Sequence, residues 1–139
     1  MEPMQWQYEP RDPEAGWPPK HRWHENRAGF RYDPSGKIEG CCPAGMTPEK
    51  AAELLNSGLE DSPRGWARVH PKSIYNFHDG VVYKAVETNP GKSYHGFPCK
   101  GPKSDGGRHM TARMMQRILK LAEERGQRKA IEDWFNEHP

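Results

Sequence analysis

Apolar and aromatic residues are interleaved with polar ones between two turn signals in residues 73–98, the stretch SIYNFHDGVVYKAVETNPGKSYHGFP. The segments 73–78 and 81–86 are rich in β-branched and aromatic residues, and they flank Asp79-Gly80, a dipeptide typical of two-residue type I′ turns. This pattern predicts a hairpin. Its cross-strand pairs are expected to be His78 with Val81, Asn76 with Tyr83 and Tyr75 with Lys84.

A second turn signal follows the hairpin. The sequence Asn89-Pro90-Gly91-Lys92 fits a type II turn, with proline at the second position and glycine at the third. Such a turn returns residues 93–97 as a third strand. The segment from 73 to 98 is therefore predicted to be a three-stranded antiparallel meander.

One helix is predicted before the meander, in MTPEKAAELLNSG. Thr47 suits the N-cap, Pro48 the first helical position and Gly58 the position after the C-cap. Glu49 favours the positive end of the helix dipole. The expected buried face consists of Ala51, Leu54 and Leu55.

Two helices are predicted after the meander. Met110, Met114, Ile118 and Leu121 recur at spacings of four, four and three, which form one apolar stripe on a helix that Gly126 is able to end. We expect a last helix from Gln127 to about Asn136. It would dock through Ile131, Trp134 and Phe135.

The first forty residues give weaker patterns. Residues 1–20 contain five prolines and predict an extended leader, with Trp6 and Trp17 lying across the body of the domain. Residues 21–40 alternate loosely between turn signals and predict short strands or a hairpin, whose packing side would be Trp23, Phe30, Tyr32 and Ile38. The fold expected is thus a Pro-rich leader (1–20) and one α+β domain (21–139), a small antiparallel β-meander packed with one N-terminal and two C-terminal helices.

The bulk composition is that of a small, loop-rich chain. A length of 139 residues, 33% apolar residues and a mean hydropathy of −1.10 predict one domain with a modest core. No run approaches the 18 apolar residues of a membrane span, and the N-terminus has no apolar stretch of the signal-peptide kind. We therefore expect a soluble chain without a membrane partner or an export signal of its own.

The charge is unevenly distributed. Residues 62–122 carry eleven Lys and Arg against three Asp and Glu, a net charge of +8, whereas residues 1–61 carry a net −4 and residues 123–139 a net −2. A positive field concentrates polyanions near it. This charge pattern favours nucleic acid, a nucleotide or an acidic protein as the partner.

The meander collects residues that are able to transfer protons. Cleaving RNA without a metal requires a base for the 2′-hydroxyl, an acid for the leaving 5′-oxygen, and cationic or hydroxyl donors at phosphorus. His70, His78 and His95 lie within 26 residues, and histidine titrates near neutrality. The candidate catalytic residues are His95, His78, Lys84, Thr88, Tyr94, Tyr75 and His70, with Lys72, Lys92, Lys100 and Arg108 as candidate RNA-binding cations.

Other chemistries are less well supported by the sequence. Neither a phosphate-binding glycine motif, a zinc deaminase motif, HExxH nor GxSxG occurs. A zinc site would have to combine Cys41 or Cys42 with Cys99 and a distant histidine, so we expect no metal and no cofactor. We likewise expect His21, His24, His109 and His138 to be surface or structural residues, although Arg108-His109 after Gly106-Gly107 could touch phosphate.

The order of these motifs resembles a known class of proteins. TPEKAAELLNSG, then HDGVVYKAV, then PGKSYHGFP is similar to the variable C-terminal toxin domains of bacterial polymorphic toxins of the Rhs and contact-dependent inhibition type, over about residues 45–98. Those domains have a WHGYP-like box, which here is Tyr94-His95-Gly96-Phe97-Pro98. Tyr94 replaces the tryptophan of that box.

The resemblance implies a delivered effector, and often a nuclease. Such a domain is the C-terminal part of a larger secreted carrier, acts in the cytoplasm of the target cell, and is neutralised in the producer by a cognate immunity protein. His95, His78 and Lys84 match both the motif and the chemistry. The sequence thus predicts a metal-independent toxin ribonuclease in which His95 and His78 are the acid–base pair, Lys84 stabilises the phosphorane, and Thr88, Tyr94 and Tyr75 orient the groups.

Two other functions remain open at this point. A non-catalytic basic module could bind nucleic acid or an acidic protein, and its binding would depend on Lys and Arg rather than on His. An effector enzyme that consumes a nucleotide such as NAD would depend on Glu87. The two are distinguished from a ribonuclease by salt-sensitive binding without turnover and by nicotinamide release, respectively.

Overall fold

A computed structural model describes residues 6–8, 29–32, 38–41, 46–104 and 106–139, of which the side chains at 29, 31–32 and 38–41 are not described. Its elements follow one another in the order β1 (Gln7–Tyr8), β2 (Gly29–Tyr32), β3 (Ile38–Cys41), α1 (Pro48–Asn56), β4 (Leu59–Asp61), β5 (Ser73–His78), β6 (Val81–Asn89), β7 (Ser93–Pro98), α2 (Ala112–Glu124) and α3 (Arg128–Glu137). The α+β fold class is confirmed, with one helix before the meander and two after it.

The meander has the predicted register. Strands β5 and β6 pair antiparallel, with His78 opposite Val81 and Tyr75 opposite Lys84. Asp79 and Gly80 have φ angles of 50° and 73°, and a type I′ turn requires positive φ at both central residues. The turn chemistry therefore determined which residues pair across the hairpin.

The second turn is also confirmed. Gly91 has a φ of 78°, and the backbone N–H of Lys92 donates to the carbonyl of Asn89 at 3.0 Å. This is the hydrogen bond between the first and fourth residues of a type II turn. Strand β7 then pairs antiparallel with β6, with an irregularity in register between Glu87 and Asn89.

The sheet is larger than the predicted meander. Among the described residues it has five strands in the order β1-β7-β6-β5-β4, and β1 runs parallel to β7. Trp6, just before β1, exchanges two hydrogen bonds of 2.8 Å with the side chain of Asn56 at the end of α1, and its ring meets that of Tyr94 edge-on. The prediction that Trp6 lies on the body of the domain is confirmed, whereas Trp17 lies outside the described residues.

Helices cover both faces of the sheet. Helix α1 buries Ala51 and Leu55 against Ile74, Ala85 and Tyr83 on one face. Helices α2 and α3 cover part of the other face in the main core cluster, whose buried members are Tyr75, Phe77, Val82, Cys99, Met110, Met114, Ile118, Leu119, Ala122, Ile131, Trp134 and Phe135. The two faces therefore have different neighbours, and a side chain's position in the alternation decides which it meets.

Helix α1 begins as predicted. The hydroxyl of Thr47 accepts a hydrogen bond from the N–H of Lys50, and Pro48 occupies the first turn. Gly58 follows the C-cap Ser57, but its φ is not in the left-handed region. A Cβ at position 58 would lie 2.6 Å from the carbonyl oxygen of Tyr75, so this glycine is required by close approach to β5.

The C-terminal helices are confirmed with small shifts in their bounds. Met110 is fully buried but precedes α2, whose N-cap is Thr111. Gly126 has a φ of 72°, and the N–H of Gln127 reaches the carbonyl of Ala122, which closes α2 in a Schellman motif. Ile131, Trp134 and Phe135 are buried in α3 as expected.

The predicted N-terminal hairpin corresponds to β2 and β3, which pair antiparallel as a separate two-stranded sheet. Phe30 packs against the ring of Trp134 with centroids 5.8 Å apart. The intervening turn, Trp23, most of the leader and the side chains of Tyr32 and Ile38 lie outside what is described. None of the helices in the described ranges combines the length and apolar character needed to cross a bilayer.

Candidate functional site

One face of the sheet gathers four of the predicted catalytic residues. Tyr75 pairs with Lys84, and Lys84 pairs with Phe97, so these residues form one row across β5, β6 and β7. The next row toward the Asn89–Lys92 turn contains Val86 and His95. Because neighbours on one face that are offset by two residues lie about 7–8 Å apart, His95 is diagonal to Lys84 on this face.

His95 is held by a hydroxyl from the neighbouring strand. The Oγ1 of Thr88 lies 2.8 Å from Nδ1 of His95, and the imidazole is only 8% exposed. When Nδ1–H donates to the hydroxyl, the lone pair of the ring is on Nε2, which suits a general base. Thr88 thus orients the ring and influences its tautomer.

Lys84 places an ammonium in the interior of the same face. Lys84 is only 7% exposed, and its Nζ donates to the carbonyl oxygen of His109 at 3.0 Å. Nζ also lies 5.5 Å from the ring centroid of Tyr75, whose hydroxyl donates to the same carbonyl at 2.5 Å. A buried charge is costly unless polar groups surround it, so this carbonyl both fixes Nζ and links the row to the segment before α2.

His109 is a histidine that the sequence did not assign to the site. Its backbone carbonyl binds Lys84 and Tyr75, and its ring meets that of Phe97 edge-on with centroids 6.1 Å apart. Its side chain is exposed, as is that of Arg108. The sequence signal for a turn before His109 was the Gly106-Gly107 pair, with φ angles of 69° and 86°. No local pattern shows that His109 then reaches Phe97.

His78 does not join His95, and this corrects the predicted acid–base pair. His78 lies opposite Val81, whereas His95 lies opposite Val86, five residues further along β6. An odd separation places the two histidines on opposite faces, and five residues span about 17 Å. His78 instead ends its strand beside the turn, with Nε2 3.3 Å from the carboxylate of Asp79.

Tyr94 faces the other side of the sheet, so its predicted role beside His95 is also wrong. It is fully buried, and its hydroxyl donates to the carbonyl of Pro71 at 2.5 Å. Burial, followed by the negative charges of Glu87 and Glu60, raises the pKa of Tyr94 to about 12. The phenol therefore stays protonated at ordinary pH and is a structural anchor.

His70 lies apart from the row of Lys84, in a cluster with Glu87. Its Nε2 is 3.4 Å from Oε1 of Glu87, and neither atom has a partner in hydrogen-bond geometry among the described residues. Arg68 approaches the same carboxylate at 3.9 Å. The structure thus groups His70 with Glu87 and Arg68. Because Glu87 pairs with Tyr94, its side chain lies on the face opposite His95.

The predicted RNA-binding cations divide into two groups. Lys72 and Lys92 are exposed at the end of the sheet where β7 begins, and exposed Arg108 adjoins His109. Lys100 lies elsewhere, with Nζ 4.9 Å from the ring centroid of Phe30. Lys100 is therefore associated with the α3 side of the molecule rather than with His95.

The described residues contain no group of three or more His, Cys, Asp or Glu side chains able to hold a metal ion. Cys99 is buried, and its backbone carbonyl accepts the indole N–H of Trp134. It belongs to the core beside α3. Of the residues considered for zinc, Cys42 and the side chain of Cys41 lie outside the description.

Comparisons with protein-family models, with curated protein sequences and with solved structures find no match to this chain. The chemistry of the sheet face is thus the basis for a functional proposal. That face combines an imidazole, a hydroxyl, an ammonium and a phenol on three adjacent strands, beside a segment that contributes a second imidazole and a guanidinium.

Proposed function

We propose that the protein is a metal-independent ribonuclease of the bacterial toxin type. The observation that carries this proposal is buried His95, hydrogen-bonded at 2.8 Å to half-buried Thr88, on the same sheet face as the buried residue Lys84. A purely structural sheet face would be expected to bury apolar residues here. The segment that contains the face also has a net charge of +8 over residues 62–122, which favours a polyanionic substrate.

The reaction that this face supports is transfer of the phosphodiester to its own ribose. His95 Nε2 takes the proton of the 2′-hydroxyl, the 2′-oxygen attacks phosphorus, and the bond to the 5′-oxygen breaks after that oxygen receives a proton. The products are a 2′,3′-cyclic phosphate and a free 5′-hydroxyl. Lys84 stabilises the negative charge that develops on the phosphoryl oxygens.

His109 replaces His78 as the second histidine in this proposal. Its ring is exposed and lies against Phe97, which shares a strand face with His95 and a row with Lys84. An exposed imidazole is able to exchange protons with solvent and to reach the leaving oxygen of a bound strand. Arg108 beside it would contact a neighbouring phosphate.

The remaining parts of the proposal follow from the resemblance and from charge. RNA is the substrate, and an acidic immunity protein is the expected partner that blocks the basic face in the producing cell. Delivery as the C-terminal part of a larger carrier, with action in the target cytoplasm, stays a prediction. Action in the cytoplasm is tested by expressing the chain inside a cell and measuring toxicity.

The proposal is tested by tightly controlled expression in bacteria. We expect the wild-type chain to stop growth and to produce discrete RNA fragments, and His95→Ala to abolish both, since losing a general base costs about 10²- to 10⁴-fold in rate. His109→Ala should weaken both. His78→Ala is the matched control, because it removes a histidine of the same meander from the opposite face, and it should remain toxic.

Cleavage by purified protein in EDTA, with a cyclic phosphate at the new 3′ end, completes the test. Intact RNA in poisoned cells, with nicotinamide release that depends on Glu87, would replace the proposal with a nucleotide-consuming effector. A soluble and harmless chain that binds RNA would leave a basic binding module as the function.

A further inference from the structure

The connection between β4 and β5, residues 62–72, holds a tryptophan in a fixed orientation. The indole N–H of Trp66 donates to the carbonyl of His70 at 2.7 Å, and the His70 ring lies edge-on to the indole with centroids 5.9 Å apart. The backbone N–H of Trp66 also donates to the carbonyl of Pro63 at 3.0 Å. The plane of the indole is thus fixed by its two contacts with His70, and the backbone at Trp66 by the bond to Pro63.

A guanidinium lies over this indole. The Cζ of Arg68 is 5.4 Å from the ring centroid of Trp66, and the Arg68 side chain is 57% exposed. Its contact with the mostly buried carboxylate of Glu87 is long, at 3.9 Å, and leaves more than half of the Arg68 side chain exposed. The guanidinium is therefore placed between an aromatic ring and solvent, with area left for a further planar group.

The 62–72 connection adjoins the end of the sheet that holds Thr88 and His95. His70 and Arg68 both approach Glu87, which directly precedes Thr88 in β6. At its other end the connection leads into Ser73, which pairs with Val86 in the row of His95. Glu87 pairs with Tyr94, so its side chain lies on the face opposite His95. A base stacked on Arg68 thus lies at the same end of the sheet as the proposed cleavage site, but on the side of the other face.

The charge of the connection suits a strand of phosphates. Residues 62–72 include Arg64, Arg68 and Lys72 but no Asp or Glu, and all three cations are exposed. Single strands bind in basic grooves where their bases stack on aromatic rings or guanidinium planes. Val69, which is fully exposed at 104%, shows that this part of the connection faces solvent.

We propose that Trp66 and Arg68 form a stacking subsite for an unpaired base of the RNA, at the end of the sheet that also holds His95. The inference deepens the proposed ribonuclease function and rests on it for the identity of the strand. A base in a duplex is already stacked and paired on both sides. The subsite therefore selects single-stranded RNA.

Binding without cleavage tests the subsite independently of catalysis. The probe is a fluorescein-labelled 12-nucleotide RNA with 2′-O-methyl groups, which lacks the attacking hydroxyl, measured by anisotropy with the full chain. Arg68→Lys keeps the charge and removes the planar guanidinium, and Arg64→Lys makes the same change away from the indole. Trp66→Ala and Trp66→Phe separate the aromatic plane from the hydrogen bond to His70.

We expect Arg68→Lys and Trp66→Ala to weaken binding of the single strand by about fivefold or more, as loss of a stacked base does. Arg64→Lys should change it less than twofold, and Trp66→Phe should recover part of the loss. The salt dependence should be the same for Arg68→Lys and wild type, because the number of charges is unchanged. A duplex of the same sequence should bind more weakly and respond equally to both lysine substitutions.

Equal effects of Arg68→Lys and Arg64→Lys on the single strand, or a duplex bound as tightly as a single strand, would overturn the subsite. Circular dichroism shows whether Trp66→Ala is folded. If it is not, the comparison of Arg68→Lys with Arg64→Lys, both at exposed residues, decides whether the subsite exists. Binding that depends on Trp66 and Arg68, without cleavage of unmodified RNA, would refute the ribonuclease but keep the stacking subsite. Cleavage that is insensitive to Arg68→Lys and Trp66→Ala would do the reverse.

Discussion

Thr88 and His95 are joined across β6 and β7 by a hydrogen bond of 2.8 Å between the hydroxyl Oγ1 and the imidazole Nδ1. We expect Thr88→Val to lower the cleavage rate about fivefold, since one hydrogen bond contributes about 1 kcal/mol. Thr88→Ser should restore most of it. As a positioning residue, Thr88 should also affect the pH–rate profile on its acidic limb, where the base must be neutral.

A rate loss without any change in the pH profile would indicate that Thr88 only supports packing. Unfolding by urea provides the control for that outcome. Thr88→Val and Thr88→Ser should differ much less in their free energy of unfolding than in rate.

Lys84 should separate activity from stability. Lys84 is only 7% exposed, and its ammonium donates to the carbonyl of His109. Lys84→Met should lower the cleavage rate about 10²- to 10³-fold, as loss of a group that stabilises transition-state charge does. Its free energy of unfolding should be unchanged or raised, because a buried charge is replaced by an apolar chain of similar size.

The measurement pairs single-turnover cleavage with urea unfolding of the same preparations. Parallel loss of activity and of stability in Lys84→Met would show that the ammonium is a structural element. Retained cleavage would remove Lys84 from the mechanism.

Gly58 should tolerate no side chain. A Cβ there would meet the carbonyl oxygen of Tyr75 at 2.6 Å and Cγ2 of Ile74 at 2.8 Å. Overpacking of this kind costs about 1–3 kcal/mol, and occasionally more, so Gly58→Ala should lower the free energy of unfolding by at least this amount.

Gly126→Ala is the matched comparison for Gly58→Ala. Nothing lies within 4 Å of a Cβ at position 126, but its φ is 72°. The expected cost is about 1–2 kcal/mol from the left-handed backbone alone. If Gly126→Ala were the more damaging of the two in urea unfolding, the close contact of α1 with β5 would be incorrect.

Tyr94 should make stability depend on alkaline pH. Burial, then Glu87 and Glu60, raises its pKa to about 12 in the folded chain from a usual value of 10.0. Between these values the unfolded chain loses the phenol proton while the folded chain retains it. The stability that the protonated phenol gives the folded chain is therefore full below pH 10 and is lost as the pH rises toward 12.

Tyr94→Phe should remove that dependence. At pH 8 it should be less stable than wild type by about 1 kcal/mol, because the hydrogen bond to the carbonyl of Pro71 is lost. Urea unfolding at pH 8 and pH 11 should show this difference shrinking at the higher pH. A constant difference would mean that Tyr94 ionises normally in the folded protein.

Local sequence chemistry determined much of the fold. The Asp79-Gly80 turn determined the pairing of β5 with β6, and Thr47 determined the start of α1, because caps and turns depend on a few adjacent backbone groups. The parallel β1 and the edge strand β4 were not predicted. Two or three residues carry no periodicity of their own, and they pair only because a neighbouring strand offers free backbone groups.

The candidate site was predicted only in part, and the reason is geometric. His95, Lys84, Thr88 and Tyr75 were identified by residue type. The register places His95, Lys84 and Tyr75 on one face, and Thr88 joins them through its hydrogen bond to His95. His78 has the same chemistry, but its pairing with Val81 places it on the opposite face. A composition of reactive side chains does not by itself say which of them share a face.

The sequence by itself determined the strands of the meander, its turns, the helix caps and the charge distribution, since each depends on nearest neighbours along the chain. Only the tertiary structure decided that His109 meets Lys84 and Phe97, and that Trp66 lies at the end of the sheet that holds His95. Both come from connections whose position depends on packing with distant residues, through Lys84 in one case and Glu87 in the other. Contacts of that kind have no local signal, because loop paths are determined by the surfaces they cover.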